Sequence, residues 1–494
     1  MALKFRYNIC IGALVPICTT TKMSSTEAPQ SAAAAAAAAN EEEKKEEEVK
    51  SEIAPKHNQL ADEKQESVAL IQNKFTRNLA SPFVNHKKAW DDESGLAPIS
   101  GEMIKGITEE LGFLKPSRIQ GVAIPLIAVP TTKDGVHHDL IAQSKNGSGK
   151  TGAFAIGSSL RVDPTIPKVQ VICIAHVREL ASQIADVYEK INKFTDVKVK
   201  NFTVDNKYHG EQIIVTTLGK LANNLKGRSN KLDISQLKCF VIDECDVFFS
   251  ESKNLSQLKE VYTKYIKTLP HKVQNIIFSA TYSDDVKKTI GEFSADANQI
   301  ELSKESLALD HIAQFEMRLE KGKKPDFIKE VFSTCEMTQT VIFVNTRKFA
   351  EILHNMMRKA NLKSTIIFGD MHPEERDEYI AKFRTGEVSV VITTNMLARG
   401  IDVPETQIVI NYDVPTTGER GQERVGDSEN YMHRIGRTGR FGVRGIAVTI
   451  YDRDEDKTYL DQILDYYSMK NKCSTLEGPE QLKSLLEEIR AEQV

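Results

Sequence analysis

From Pro98 onward the chain alternates short apolar runs with amphipathic stretches, and nothing else in the sequence restricts its fold as strongly. Leu140-Ile141-Ala142, Val169 to Ile174, Gln212 to Val215, Cys239 to Ile242 and Asn275 to Phe278 are too short for helices and rich in β-branched residues, so they predict buried strands. Helical patterns separate them, which implies parallel pairing with helices on both faces of a sheet. A polar stretch, Leu302 to Asp310, interrupts the rhythm. A second series follows at Ile312 to Leu319, Thr340 to Val344, Ser364 to Phe368, Ser389 to Ile392, Ile408 to Ile410 and Ile446 to Ile450. The expected architecture is α/β: two tandem doubly wound lobes, 99–302 and 311–494, joined by a linker at 303–310. Ligands of such sheets bind beyond the carboxyl ends of the strands, here in the cleft between the lobes.

The N-terminal part follows different rules. Lys4 and Arg6 flank a short apolar stretch, Ile11 to Cys18, which resembles a weak signal-peptide core. Met23 opens an ordinary polar start, so residues 1–22 are read as a dispensable leader. Ala32 to Ala39 and the acidic run Glu41 to Glu48 have little to bury, and residues 1–66 are expected to form a disordered low-complexity arm. Over 67–98, Val68, Ile71, Phe75 and Leu79 recur at helical spacing before Pro82, predicting an amphipathic helix that either packs on the first lobe or docks on it reversibly as a regulator.

The formal net charge of −4 offers no global positive field, so any nucleic-acid site must be local. The seven cysteines are scattered without metal-binding spacing, as expected for free thiols, and no apolar run is long enough for membrane insertion.

The chemistry begins at Ser144-Lys145-Asn146-Gly147-Ser148-Gly149-Lys150-Thr151, between a strand and a helix. Backbone N–H groups of Gly147, Ser148 and Gly149 can wrap phosphate oxygens, Lys150 can reach the outer phosphates, and the Thr151 hydroxyl suits Mg²⁺. Ser144 stands where the strict motif has glycine. Farther on, Phe240-Val241-Ile242-Asp243-Glu244-Cys245-Asp246 ends a strand in carboxylates, with Asp243 placed to hold the metal and Glu244 to orient the attacking water. Ser279 and Thr281 close the next strand as candidates to relay nucleotide state.

This ordered set resembles the DEAD-box helicase family, with Asp-Glu-Cys-Asp in place of the usual Asp-Glu-Ala-Asp, over about residues 90 to 455. Its most specific element is His433-Arg434-Ile435-Gly436-Arg437-Thr438-Gly439-Arg440. The resemblance implies two RecA-like lobes, ATP and Mg²⁺ as cofactors, Arg437 and Arg440 as arginine fingers, and His433 as a coupling residue. It also implies that Gln120, in Gly112 to Gln120, reads adenine, that Asp402 touches nucleotide, and that Trp90 stacks on the base. Arg178, Thr217, Gly219, Asn345, Arg347, Thr393 and Thr394 would contact the RNA backbone without reading sequence.

The long stretch Thr416 to Asn430, the acidic arm and Gly442 to Gly445 resemble the subfamily that remodels exported mRNA at the cytoplasmic face of the nuclear pore. That resemblance implies a monomer shared between cytoplasm and nucleus, with a pore filament protein and an inositol-phosphate-bound activator as partners. The alternatives are the splicing and export helicase subfamily, a non-hydrolysing ATP-dependent RNA clamp, and a DNA translocase on the same lobes. The presence of Asp243, Glu244, Arg437 and Arg440 argues against the clamp.

Overall fold

The computed structural model describes residues 68–71, 90, 99–130, 135–144, 147–227, 231–280, 284–302, 309, 311–335, 339–369, 371–395, 406–417, 424–439 and 444–492. The expected arm at 1–66 and all of the linker except Leu309 lie outside them, as do Thr281, Asp402 and Arg440.

The first lobe is built on β1 (Val68–Ile71), β2 (Leu140–Gln143), β3 (Val171–Ala175), β4 (Val199–Asn201), β5 (Ile213–Thr217), β6 (Cys239–Ile242), β7 (Gln274–Ser279) and β8 (Asn298–Leu302). They lie in the order β1-β8-β2-β7-β6-β3-β5-β4. Every neighbouring pair is parallel except β1 with β8. The second lobe contains β9 (Ile312–Arg318), β10 (Thr340–Phe343), β11 (Ser364–Ile367), β12 (Val390–Thr393), β13 (Ile408–Asn411), a hairpin of β14 (Thr416–Thr417) and β15 (Val425–Gly426), then β16 (Gly445–Tyr451) and β17 (Cys473–Thr475). Its parallel sheet runs β11-β12-β10-β13-β16-β9-β17.

The central strands are buried on both faces, as their unbroken apolar runs require. In the first lobe one layer gathers Phe154, Tyr188 and Phe278 with Ile124 and Ile127. The other gathers Phe240, Phe248, Leu221 and Ile277. These two apolar layers clamp the sheet and fix its strand ends, which carry the chemistry. Among the described residues no helix is long and apolar enough to cross a membrane.

The amphipathic helix expected near residue 70 is not what forms at its start. Val68–Ile71 is a strand, paired antiparallel with β8 from Val68 opposite Leu302 to Ile71 opposite Gln299. Four consecutive apolar residues suit an edge strand as well as a helical stripe, and the backbone groups left open along β8 decide between them. Phe75 and Leu79, which completed the helical spacing, lie outside the described residues.

Candidate active site between the lobes

The phosphate-binding loop leaves β2 at Ser144 and ends in the helix Lys150–Ser159. Gly147 and Gly149 take left-handed backbone angles, φ 75° and 95°, which glycine adopts without cost. At Gly149 a Cβ would also fall 2.7 Å from Gln120 Nε2. Ser144, the departure from the strict motif, has a use: its hydroxyl lies 2.6 Å from that of Ser148, and its carbonyl accepts from Lys150 Nζ at 3.0 Å. Lys150 is therefore held buried across its own loop, and Thr151 follows in the first helical turn.

Gln120 lies in the first turn of the helix Arg118–Ala128 and completes a capping box with Ser117. Its Oε1 accepts from the Ser117 N–H at 2.8 Å and its Nε2 donates to the Gly149 carbonyl at 3.2 Å. The amide expected to read adenine here ties its own loop to the phosphate loop. Trp90, expected to stack on the base, is 2 % exposed and packs within the core, with Nε1 donating to the Phe113 carbonyl at 2.7 Å. An indole enclosed in this way presents no open face to a base.

β6 delivers the carboxylates. Asp243 accepts from the Glu244 N–H at 3.0 Å, and Glu244 adopts the left-handed region at φ 49° as cap of the short helix Cys245–Ser250. A non-glycine residue there stores backbone strain, which is common where a side chain must be aimed at a reactive centre. Burial, and next the Glu244 charge, push the Asp243 carboxyl up. Burial also opposes ionisation of Glu244, but Lys150, His433, Arg437 and His176 outweigh it and hold that carboxyl low. Lys150 belongs to the first lobe's phosphate loop, and His433 and Arg437 to the second lobe. Glu244 Oε2 is buried without a hydrogen-bond partner among the described residues.

Asp246 reaches across the seam. Ser279 Oγ donates to Asp246 Oδ1 at 3.0 Å, and His433 Nε2 stands 3.8 Å from Asp246 Oδ2. Glu244, Asp246 and His433 bring candidate ligand atoms within 4.8 Å of one another, although Asp246 and His433 already serve as a contact between lobes. His433 and Arg437 share one short segment, since Arg437 Nε donates to the His433 carbonyl at 3.1 Å.

The expected RNA-facing residues divide. Gly219 leaves open space where a Cβ would stand, Thr217 precedes the helix Leu218–Lys226, and Thr394 is half-buried. Arg347 is exposed, with its guanidinium 5.5 Å from the centre of the Phe368 ring. Arg178 pairs with Asp377 of the second lobe at 3.4 Å. Thr393 does not meet the expectation: it is fully buried and its hydroxyl donates to the Ile367 carbonyl at 2.8 Å. Asn345 is exposed, while its side chain donates to the Val414 carbonyl at 2.9 Å and accepts from Arg434 at 2.9 Å.

Arg434 went unassigned in the sequence although it lies inside the most specific motif. It is fully buried and donates to Asn395 Oδ1 at 2.9 and 2.6 Å, to the Asp413 carbonyl at 2.8 Å and to Asn345. Burial draws its pKa down to about 10. One rigid guanidinium fork thus ties together the ends of β10, β12 and β13.

Residues 117–289 match the DEAD/DEAH box helicase family and residues 323–442 the helicase conserved C-terminal domain. The ATP-dependent RNA helicase DBP5 of Saccharomyces cerevisiae is 34% identical over 415 residues, covering 83% of this chain and 81% of that protein. The structure of S. cerevisiae Dbp5 bound to RNA and ADP BeF3 superposes with a TM-score of 0.71 at 33% identity, over 81% of this chain and 98% of that one. A second, of a Dbp5 variant from the same yeast bound to Nup159, Gle1, IP6 and ADP, gives a TM-score of 0.56 at 31% identity, over 80% and 100% of the two chains. With its phosphate loop and carboxylates in the first lobe and the segment of His433 and Arg437 brought to them from the second, the chain belongs to the DEAD-box family of ATP-hydrolysing RNA helicases, in its Dbp5 subfamily.

Proposed function

We propose that the chain closes its lobes on ATP and single-stranded RNA to melt short duplexes or strip proteins from mRNA during export through the nuclear pore. The observation that carries this reading is the environment of Glu244, where cationic groups from both lobes converge on one carboxylate. Neither lobe alone supplies that set, so hydrolysis requires closure.

Within the closed site Glu244 orients the attacking water and accepts its proton, while Arg437, with Arg440, faces the charge that develops on the transferring phosphoryl group. Lys150, held by the Ser144 carbonyl, is poised to exchange that contact for a phosphate oxygen. Gln120 is poised to exchange its two amide contacts for the adenine edge, and the family resemblance gives Asp402 a further nucleotide contact. The Thr151 hydroxyl and the Asp243 carboxylate are hard oxygen donors of the kind Mg²⁺ takes, and a cation there would offset the burial and the Glu244 charge that push Asp243 up. Mg²⁺, when bound, neutralises phosphate charge. Ser279 and His433 relay the nucleotide state through Asp246, and the family resemblance gives Thr281 a part in the same relay. Arg178, Thr217, Gly219, Arg347 and Thr394 hold the RNA backbone.

The yeast Dbp5 complex with Nup159, Gle1 and IP6 supports a pore filament protein and an inositol-phosphate-bound activator as partners. Residence at the cytoplasmic face of the pore belongs to the same proposal. The test is the ATPase rate of the full chain with no polymer, with single-stranded RNA and with single-stranded DNA. Stimulation by RNA alone is expected. Equal stimulation by DNA would contradict the assignment to RNA, and no stimulation by either would contradict coupling.

A further inference from the structure

His176 leaves the end of β3 and Glu244 the end of β6, and these strands lie side by side with Ile174 opposite Ile242. The register runs on past that pair, since the Asp243 N–H donates to the Ile174 carbonyl at 3.2 Å. Two residues beyond the pair, each strand therefore carries one polar side chain out of the sheet: the half-buried His176 imidazole and the buried Glu244 carboxylate. The imidazole acts on that carboxylate. Burial opposes ionisation of Glu244, and His176 is one of the groups, after Lys150, His433 and Arg437, that outweigh it.

A carboxylate that serves as a base must offer one oxygen to the water while a donor holds the other, or its orientation is lost. Glu244 Oε2 is buried without a hydrogen-bond partner among the described residues, a costly state for an ionised oxygen. Three of the four neighbouring groups have other work. Lys150 Nζ donates to the Ser144 carbonyl at 3.0 Å, Arg437 Nε donates to the His433 carbonyl at 3.1 Å, and His433 Nε2 stands 3.8 Å from Asp246 Oδ2. His433 and Arg437 also belong to the second lobe, so their distance from Glu244 depends on closure. His176 differs in its scaffold: β3 is hydrogen-bonded directly to β6, whereas β7 separates β6 from the β2 strand that leads into the Lys150 loop. Its place beside Glu244 is fixed by the sheet itself.

We propose that His176 is a positioning residue for ATP hydrolysis, its ring N–H donating to the Glu244 carboxylate and holding it toward the attacking water. It touches neither the water nor the nucleotide and acts through Glu244. The inference rests on Glu244 being the proton acceptor, as proposed above.

The test is a double-mutant cycle on the full chain. It reads kcat and the KM for ATP at saturating RNA, together with RNA affinity in the presence of a non-hydrolysable ATP analogue. His176→Ala is expected to lower kcat about 10- to 100-fold, the worth of one hydrogen bond to a charged group, while KM and RNA affinity stay near the parent values. His176→Gln and His176→Asn return an N–H donor at the reach of one ring nitrogen or the other, and at least one of them should recover most of the loss. In a Glu244→Gln background His176→Ala should cost nothing further, because no carboxylate remains to be aimed. The inference is overturned by an unchanged kcat in His176→Ala, by failure of both amides to recover it, by a joint loss of kcat, KM and RNA affinity, or by the full loss recurring in the Glu244→Gln background. A Glu244→Gln chain that hydrolyses ATP like the parent would instead refute the reading of Glu244 on which the inference rests.

Discussion

His433 Nε2 lies 3.8 Å from Asp246 Oδ2, each side chain fully buried and each contributed by a different lobe. Because Ser279 Oγ donates to the other oxygen of the same carboxylate, Asp246 joins the end of β7 to the helix Ser428–Ile435. Replacing Asp246 by Asn keeps the shape and removes the charge. RNA-stimulated kcat should fall about 10- to 100-fold, the worth of one charge-assisted hydrogen bond, while the KM for ATP changes little. A comparable rise in KM would make Asp246 a binding residue.

Glu244 is the proton acceptor in this account. Glu244→Gln should slow hydrolysis by roughly 10² to 10⁴ and retain ATP-dependent RNA binding. Rapid release of RNA while ATP is present would contradict the role.

Arg437 faces the transferring group rather than holding the ground state. Arg437→Ala should therefore cost about 10³ or more in turnover, with nucleotide affinity nearly intact. Equal losses in kcat and in ATP affinity, measured by stopped-flow binding, would reduce it to a binding residue.

Arg434 is a matter of architecture. Its removal leaves Asn345, Asn395 and the Asp413 carbonyl without their shared donor, so Arg434→Ala should destabilise the second lobe by about 3–5 kcal/mol in urea unfolding. Lysine should not rescue it, because a point charge cannot form the fork. A variant with parental stability would show that these contacts are dispensable.

His137 gives the fold a pH dependence. Burial, and then Arg161, lower its pKa from 6.5 to about 4, so the folded chain keeps it neutral while the unfolded chain protonates it earlier. The stability this contributes is present above pH 6.5 and is lost as pH falls toward about 4. His137→Asn should flatten the unfolding free energy across that window. An unchanged slope would locate the acid sensitivity elsewhere.

Much of the fold was legible because it is local. Continuous apolar runs such as Cys239–Ile242, repeated between helical patterns, read as buried strands, and the loop from Ser144 to Thr151 carries its chemistry in consecutive residues. The less regular strands were not seen: β4 is three residues with two polar side chains, and β8 mixes Asn, Gln and Glu into its run. Val68–Ile71 was misread because four apolar residues fit a helical stripe, and only the exposed flank of β8 tells them apart. The site was legible where spacing is short, as at Asp243 and Glu244, and hidden where it is long. Arg178 and Asp377 are 199 residues apart, and no local pattern announces that they, or Glu179 and Arg376 beside them, meet. Trp90 and Thr393 show the opposite failure, being well placed in sequence but turned inward by packing.

The central claim is that one site is assembled from two lobes and that RNA and ATP share the closed state. It is tested most directly by the affinity of the full chain for labelled single-stranded RNA, measured by fluorescence anisotropy with a non-hydrolysable ATP analogue and with ADP. RNA should bind at least about tenfold more tightly with the ATP analogue. Equal affinities in the two nucleotide states would contradict the account.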